Sequence, residues 1–189
     1  MSKSAPIIAF LTLLWSASAL AHGPVRQKVE EKVTINAPAE KVWEAIRDLC
    51  SIKTWHPKVK DCTLEGEQNT KRKLSLADGG WIVETLKQHD EKKRLISFKF
   101  NFDDVSAAKT IVYAGQEIQV PVLPVANYSD SLEVKQQGEK TEVIWKGAFY
   151  RAYMNNNPPP EMNEDAAVRA VSEFYRSGLD KLKQVVEKP

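Results

Sequence analysis

The sequence predicts an α+β domain: a curved antiparallel sheet packed around one long C-terminal helix. Three observations predict it. Period-two hydrophobicity recurs along residues 58–153, most clearly in Arg94–Phe102 (RLISFKFNF), where Ile96, Phe98, Phe100 and Phe102 share one face and Ser97, Lys99 and Asn101 the other. An apolar stripe at helical spacing, Val168, Val171, Phe174, Tyr175, Leu179, Leu182 and Val186, runs to the C-terminus. Only short helical patterns interrupt the strands. Such a sheet has one face to cover, and the terminal helix has one stripe to bury.

The elements follow in order. Gln27–Asn36 reads as a first strand, with Val29, Val33 and Ile35 as its apolar points. Val42, Trp43, Ile46 and Leu49 then fall at helical spacing, and Pro38 sits near the first turn, where a missing N–H costs nothing. This helix ends near Cys50. Ser51 starts a second, short helix that Pro57 stops, because the residue before a proline, His56, is pushed to extended geometry. Lys58–Glu65 is a strand. Lys71–Leu76 and Trp81–Gln88 form a hairpin around Ala77-Asp78-Gly79-Gly80. Asp103–Gln119 carries no clear period. Tyr128–Gln136 and Thr141–Tyr153 form another hairpin, with Val143, Trp145, Gly147 and Phe149 on one face. Asn155–Pro160 is a hard break, after which Asn163 caps the last helix. Gly178 inside that helix costs about 1 kcal/mol relative to alanine, and close approach to the sheet or to a ligand would explain it. A sheet curved around this helix encloses a concave, mostly apolar cavity.

The chain has 189 residues and a net charge of +2. Lys3, the apolar run Pro6–Leu14 and the small-x-small Ala19-Leu20-Ala21 read as a secretory signal peptide over 1–21, cut before His22. Residues 22–26 form an N-terminal extension and 27–189 the domain. The near-neutral balance argues against a nucleic-acid binder. Lys71-Arg72-Lys73 and Glu91–Arg94 flank turns and read as solvated strand ends. In an oxidising compartment Cys50 and Cys62 are expected to form one disulfide.

No catalytic elbow or zinc motif is present, and His22, His56 and His89 lie far apart, so no metal or other cofactor is expected. Cleavage before His22 would set an N-terminal amine beside an imidazole, a pair that suits copper; the plainer reading is a disordered terminus. His56 and Trp55 read as structural or pocket-rim residues. Glu84 shares strand parity with Ile82 and Leu86. Either that face points inward and carries a buried acid, or Trp81, Val83 and Thr85 do and Glu84 is solvated. An inward Glu84 needs a partner. Arg151 shares parity with Trp145 and Phe149 and is one candidate. Phe98, Phe100, Phe102, Tyr128, Trp145 and Phe149 read as core that also lines the cavity.

The ordered set Val33–Trp43, Trp55-His56-Pro57, Asp78-Gly79-Gly80 with Glu84, and Trp145-Lys146-Gly147 before the closing helix resembles the START/Bet v 1-like (SRPBCC) superfamily, in its polyketide cyclase/dehydrase branch. The resemblance implies a helix-grip fold and favours an inward Glu84. It implies a ligand pocket involving Trp55, His56, Glu84, Phe98, Phe100, Tyr128, Trp145, Phe149 and Arg151. Ala21-His22-Gly23-Pro24 and Phe149-Tyr150-Arg151 are similar to the MxaD-type periplasmic proteins of methylotrophs. That similarity implies a non-enzymatic role assisting electron transfer between methanol dehydrogenase and its cytochrome c. Because this fold hosts many functions, a carrier of an apolar small molecule or lipid and a cyclase- or hydrolase-like enzyme are the alternatives.

Overall fold

Each change of hydrophobic period in the sequence marks a change of element in the structure. The computed structural model describes residues 23–188. The signal segment 1–21 and the proposed copper-binding terminus at His22 lie outside the described residues. The elements are β1 (Gln27–Ile35), α1 (Ala39–Ile46), α2 (Ile52–Trp55), β2 (Val59–Glu65), β3 (Lys71–Leu76), β4 (Trp81–Asp90), β5 (Leu95–Phe100), β6 (Ala107–Tyr113), β7 (Gln116–Pro121), β8 (Val125–Gln137), β9 (Lys140–Arg151) and α3 (Glu164–Val186).

Seven strands form one antiparallel sheet in the order β1-β9-β8-β5-β4-β3-β2. Register shifts at Leu86/Gln88 in β4 and at Ala126/Ser129 in β8 bend it. Its concave face closes on α3, which lies against β1 and β9, while α2 touches β2 and α3. This is the helix-grip architecture expected from the sequence. Among the described residues no helix is long and apolar enough to cross a membrane.

Local chemistry sets the boundaries. Pro38 precedes α1 with extended backbone, and the buried Ala39, Val42, Trp43 and Ile46 form one stripe. His56 is extended at the end of α2, as the following proline requires. Asn163 caps α3, its side chain accepting from the Ala166 N–H at 2.8 Å. Cys50 and Cys62 are bonded, with Cα atoms 5.3 Å apart, and tie the helical segment to β2.

Two expectations are corrected. The segment 103–119 contains most of a β6–β7 hairpin that pairs only with itself. Ala114 and Gly115 both have positive φ, the two-residue turn that matches strand twist. This hairpin rests on a small second core of Val120, Ala152 and Met162 and leaves Val112 exposed, so no long buried face writes a period into its sequence. Phe102 leaves the face it shares by parity with Phe100. The strand ends at Phe100, and Phe102 is 39% exposed in a short 3-10 turn.

Candidate functional site

Strand register decides what meets inside the fold. Arg72 on β3 and Glu84 on β4 are direct cross-strand partners, both pointing into the concave face. Arg72 Nε donates to Glu84 Oε2 at 2.6 Å, and Nη1 donates to the Leu49 carbonyl at 2.6 Å. The guanidinium also lies 3.7 Å from the Phe98 ring centroid. Glu84 is therefore inward and partnered. Arg72 is no solvated strand end: it alternates with Lys71 and Lys73 and takes the buried side.

Arg151 is buried but does not reach Glu84. It lies six residues beyond Trp145 on β9, about 20 Å along an extended strand. There it pairs with Glu164 at the start of α3 and donates to the carbonyls of Tyr153 at 2.7 Å and Asn155 at 2.9 Å. It braces the loop that leads into α3.

Asp130 on β8 is a second buried carboxylate that residue-type reading missed. It accepts from the Phe98 N–H at 3.0 Å, Trp145 Nε1 at 2.8 Å and the Tyr128 hydroxyl at 3.1 Å. The Tyr128 hydroxyl also meets that of Tyr175 from α3. Burial, then the charge of Glu84, push Asp130 up to about 7. Burial likewise raises both tyrosines well above the ordinary phenol value. The available signal was parity: Asp130 shares the buried face of β8 with Tyr128, Leu132 and Val134.

His56 sits behind the Phe174 ring, centroids 4.0 Å apart, and edge-on to Trp145. Its Nε2 is 3.0 Å from the Phe174 carbonyl and so carries the proton, while Nδ1 accepts from the Lys58 N–H at 3.2 Å. Burial holds its pKa down to about 4. A neutral ring with both nitrogens engaged has no lone pair left for base catalysis. Gly178 makes this packing fit: a Cβ there would stand 2.5 Å from His56 Cδ2 and 3.1 Å from Trp145 Cζ3.

The predicted pocket is largely filled by its own lining. Trp55, Phe98 and Trp145 surround a small void of about 20 Å³ with Arg72 and Asp130, room for about one water. Phe100, Tyr128 and Phe149 stack on one another. An open cavity lies elsewhere, at the mouth between α3, the Asp78-Gly79-Gly80 turn and the start of β6. It measures about 430 Å³ and is lined by Leu76, Ile82, Ala108, Leu123, Ala170 and Phe174, with Lys58 and Glu173 at 3.9 Å on its rim. None of the nine predicted pocket residues lines it. Large aromatics fill the deep end, and the small side chains Ala108 and Ala170 leave room at the mouth. Phe174 separates this cavity from His56.

Residues 26–187 match the family described as polyketide cyclase/dehydrase and lipid transport. Among solved structures, protein XoxI from Bacillus cereus is similar at 24% identity and a TM-score of 0.64, covering 84% of this chain and 94% of that one. The Zhui aromatase/cyclase from Streptomyces sp. R1128 aligns at 16% identity and 0.59, covering 86% and 94%. A START superfamily protein from Mycobacterium smegmatis aligns at 13% and 0.55, covering 84% and 98%. A search of curated proteins finds no match. At such identities these structures establish the shared fold, and the family match spans nearly the whole domain: the chain belongs to the polyketide cyclase/dehydrase and lipid transport family.

Proposed function

We propose that this chain acts by binding, as an exported accessory protein of periplasmic methanol oxidation that assists electron transfer between methanol dehydrogenase and its cytochrome c. One observation carries the choice of binding over chemistry. Every buried polar side-chain atom among the described residues has a protein partner, and His56, Arg72, Glu84, Asp130 and Arg151 do not line the mouth cavity. Arg72, Glu84, Asp130, His56 and Arg151 are used up in holding the fold. The specific partners follow from the similarity of Ala21–Pro24 and Phe149-Tyr150-Arg151 to the MxaD-type proteins. Arg151 supports that reading in one respect: it anchors the 152–163 loop, so this surface is held in one shape. The test is electron transfer from purified dehydrogenase to cytochrome with and without the protein. The expected result is a faster transfer whose enhancement falls as salt rises. No enhancement at any ionic strength refutes the role.

The mouth cavity favours a second reading, a carrier of a small amphipathic molecule. Its walls are apolar and its rim holds Lys58, Asp78 and Glu173, a layout that seats an apolar body and holds a polar end. Ala170→Trp fills it from α3. Native mass spectrometry of the purified protein should then show a bound small molecule in the parent chain and none in the variant. A bare parent chain refutes this reading. For a cyclase or hydrolase of the kind the Zhui name suggests, acid–base work in this cavity would fall to the rim residues alone.

A further inference from the structure

The concave face of the sheet is covered by the helices, and the convex face is open. Direct register partners trace one row across it: Glu65, Lys71, Thr85, Lys99, Ser129, Ala148 and Lys28 on β2, β3, β4, β5, β8, β9 and β1. The row is acidic at its β2 edge, and its basic part, from Lys71 to Lys28, crosses six strands at about 4.8 Å spacing and is roughly 24 Å wide. Beside it lies a shallow groove of about 480 Å³, whose lining includes Lys28, Lys87, Lys146, Glu30, Leu95 and Ser129.

Part of the charge on this face is neutralised locally: Lys32 and Lys146 by Glu30, and Lys135 by Glu133. Along the row and groove, Arg26, Lys28, Lys71, Lys73, Lys87 and Lys99 form no ion pair among the described residues. Two of these cations lie over aromatic rings at opposite ends of the face, Arg26 over Tyr150 at 5.7 Å and Lys73 over Trp81 at 5.2 Å. Six cations outside any ion pair on one open face, with Glu65 beside Lys71 and Glu30 in the groove as their acidic neighbours, leave a local basic excess on a chain with a net charge of only +2, which is a directional feature. Aromatic and arginine side chains among them are the residue types that anchor protein interfaces.

We infer that the convex face, from Lys71 through Lys99 to Lys28, docks the acidic surface of a folded partner protein. This rests on the binding reading above and assigns it a surface. The breadth of the row suits a protein patch of about 800 Å². A vesicle surface would meet Trp81 and Tyr150 with Lys73 and Arg26 already lying over their rings, which leaves little apolar surface to insert.

The test uses immobilised poly-L-glutamate as the acidic probe, at low salt. Lys28→Gln/Lys71→Gln/Lys99→Gln should weaken binding about tenfold and flatten its salt dependence. The charge-matched Lys41→Gln/Lys92→Gln/Lys188→Gln should change it less than about twofold. Equal weakening by both triples overturns the inference, as does binding of phosphatidylglycerol vesicles without binding of poly-L-glutamate. The electron-transfer assay separates the two claims. A row variant that keeps the full enhancement sinks the docking face and leaves the function standing. A parent chain without enhancement sinks the function, and the poly-L-glutamate comparison still judges the face.

Discussion

Arg72 and Glu84 are cross-strand partners whose side chains meet at 2.6 Å inside the sheet's concave face, both almost fully buried. A pair like this specifies which residues face inward, because either partner alone would leave an uncompensated buried charge. Arg72→Met alone should cost about 3–5 kcal/mol. Arg72→Met/Glu84→Leu should cost clearly less than the two single changes summed. Urea unfolding of the four proteins measures the coupling. Additive losses would show that the two side chains stabilise the fold independently.

His56 and Asp130 should impose opposite pH slopes on stability. His56 has its pKa lowered from 6.5 to about 4, so the unfolded chain binds more protons between those values, and stability falls as pH drops through them. Asp130 has its pKa raised from 3.8 to about 7, so the folded chain binds more protons, and stability falls as pH rises through that window. Each contribution is on the order of 3–4 kcal/mol. In the overlap, from about pH 4 to 6.5, they largely cancel. Asp130→Asn should therefore make stability rise with pH there, and His56→Gln should make it fall. Denaturant midpoints across pH check both, and unchanged slopes reject the assignments.

Gly178→Ala tests a sign. Helix propensity alone makes alanine the better residue by about 1 kcal/mol. The added Cβ would stand 2.8 Å from His56 Nε2 and 3.1 Å from Trp145 Cζ3. Those rings are locked between α3 and the sheet, so the variant should lose about 1–3 kcal/mol. Thermal unfolding decides, and a rise in Tm means that the rings can move aside.

The Cys50–Cys62 bond closes a short loop, 12 residues apart in sequence. Cys50→Ser/Cys62→Ser should lower stability by about 3 kcal/mol in the chain-entropy model. The same loss should follow from reduction of the parent chain, and the serine variant should be insensitive to reductant. Equal stability with and without the bond would mean that neighbouring packing already restricts this loop.

Much of the architecture was legible because it is written in period. Alternation marked β5 and both flanking hairpins, and the long stripe marked α3, since each buries one face against the other. Pro57, Pro38 and Asn163 placed boundaries through backbone chemistry alone. The β6–β7 hairpin was not legible: it packs on a small satellite core, and its strands show no sustained buried face.

The site was legible in residue identity and illegible in partnership. Parity placed Glu84 on a face without saying which way that face turned. Register, which depends on how β3 meets β4, selected Arg72 as its partner, and strand length carried Arg151 to the far end of β9. The sequence by itself determined the elements other than the β6–β7 hairpin, their order and the disulfide partners, because these depend on local period, backbone constraints and two nearby thiols. Only the tertiary structure decided that the aromatics fill the deep cavity and that the open space lies at the mouth. Whether side chains fill a cavity depends on volumes contributed by strands and helices far apart in the chain, and no local pattern encodes that sum.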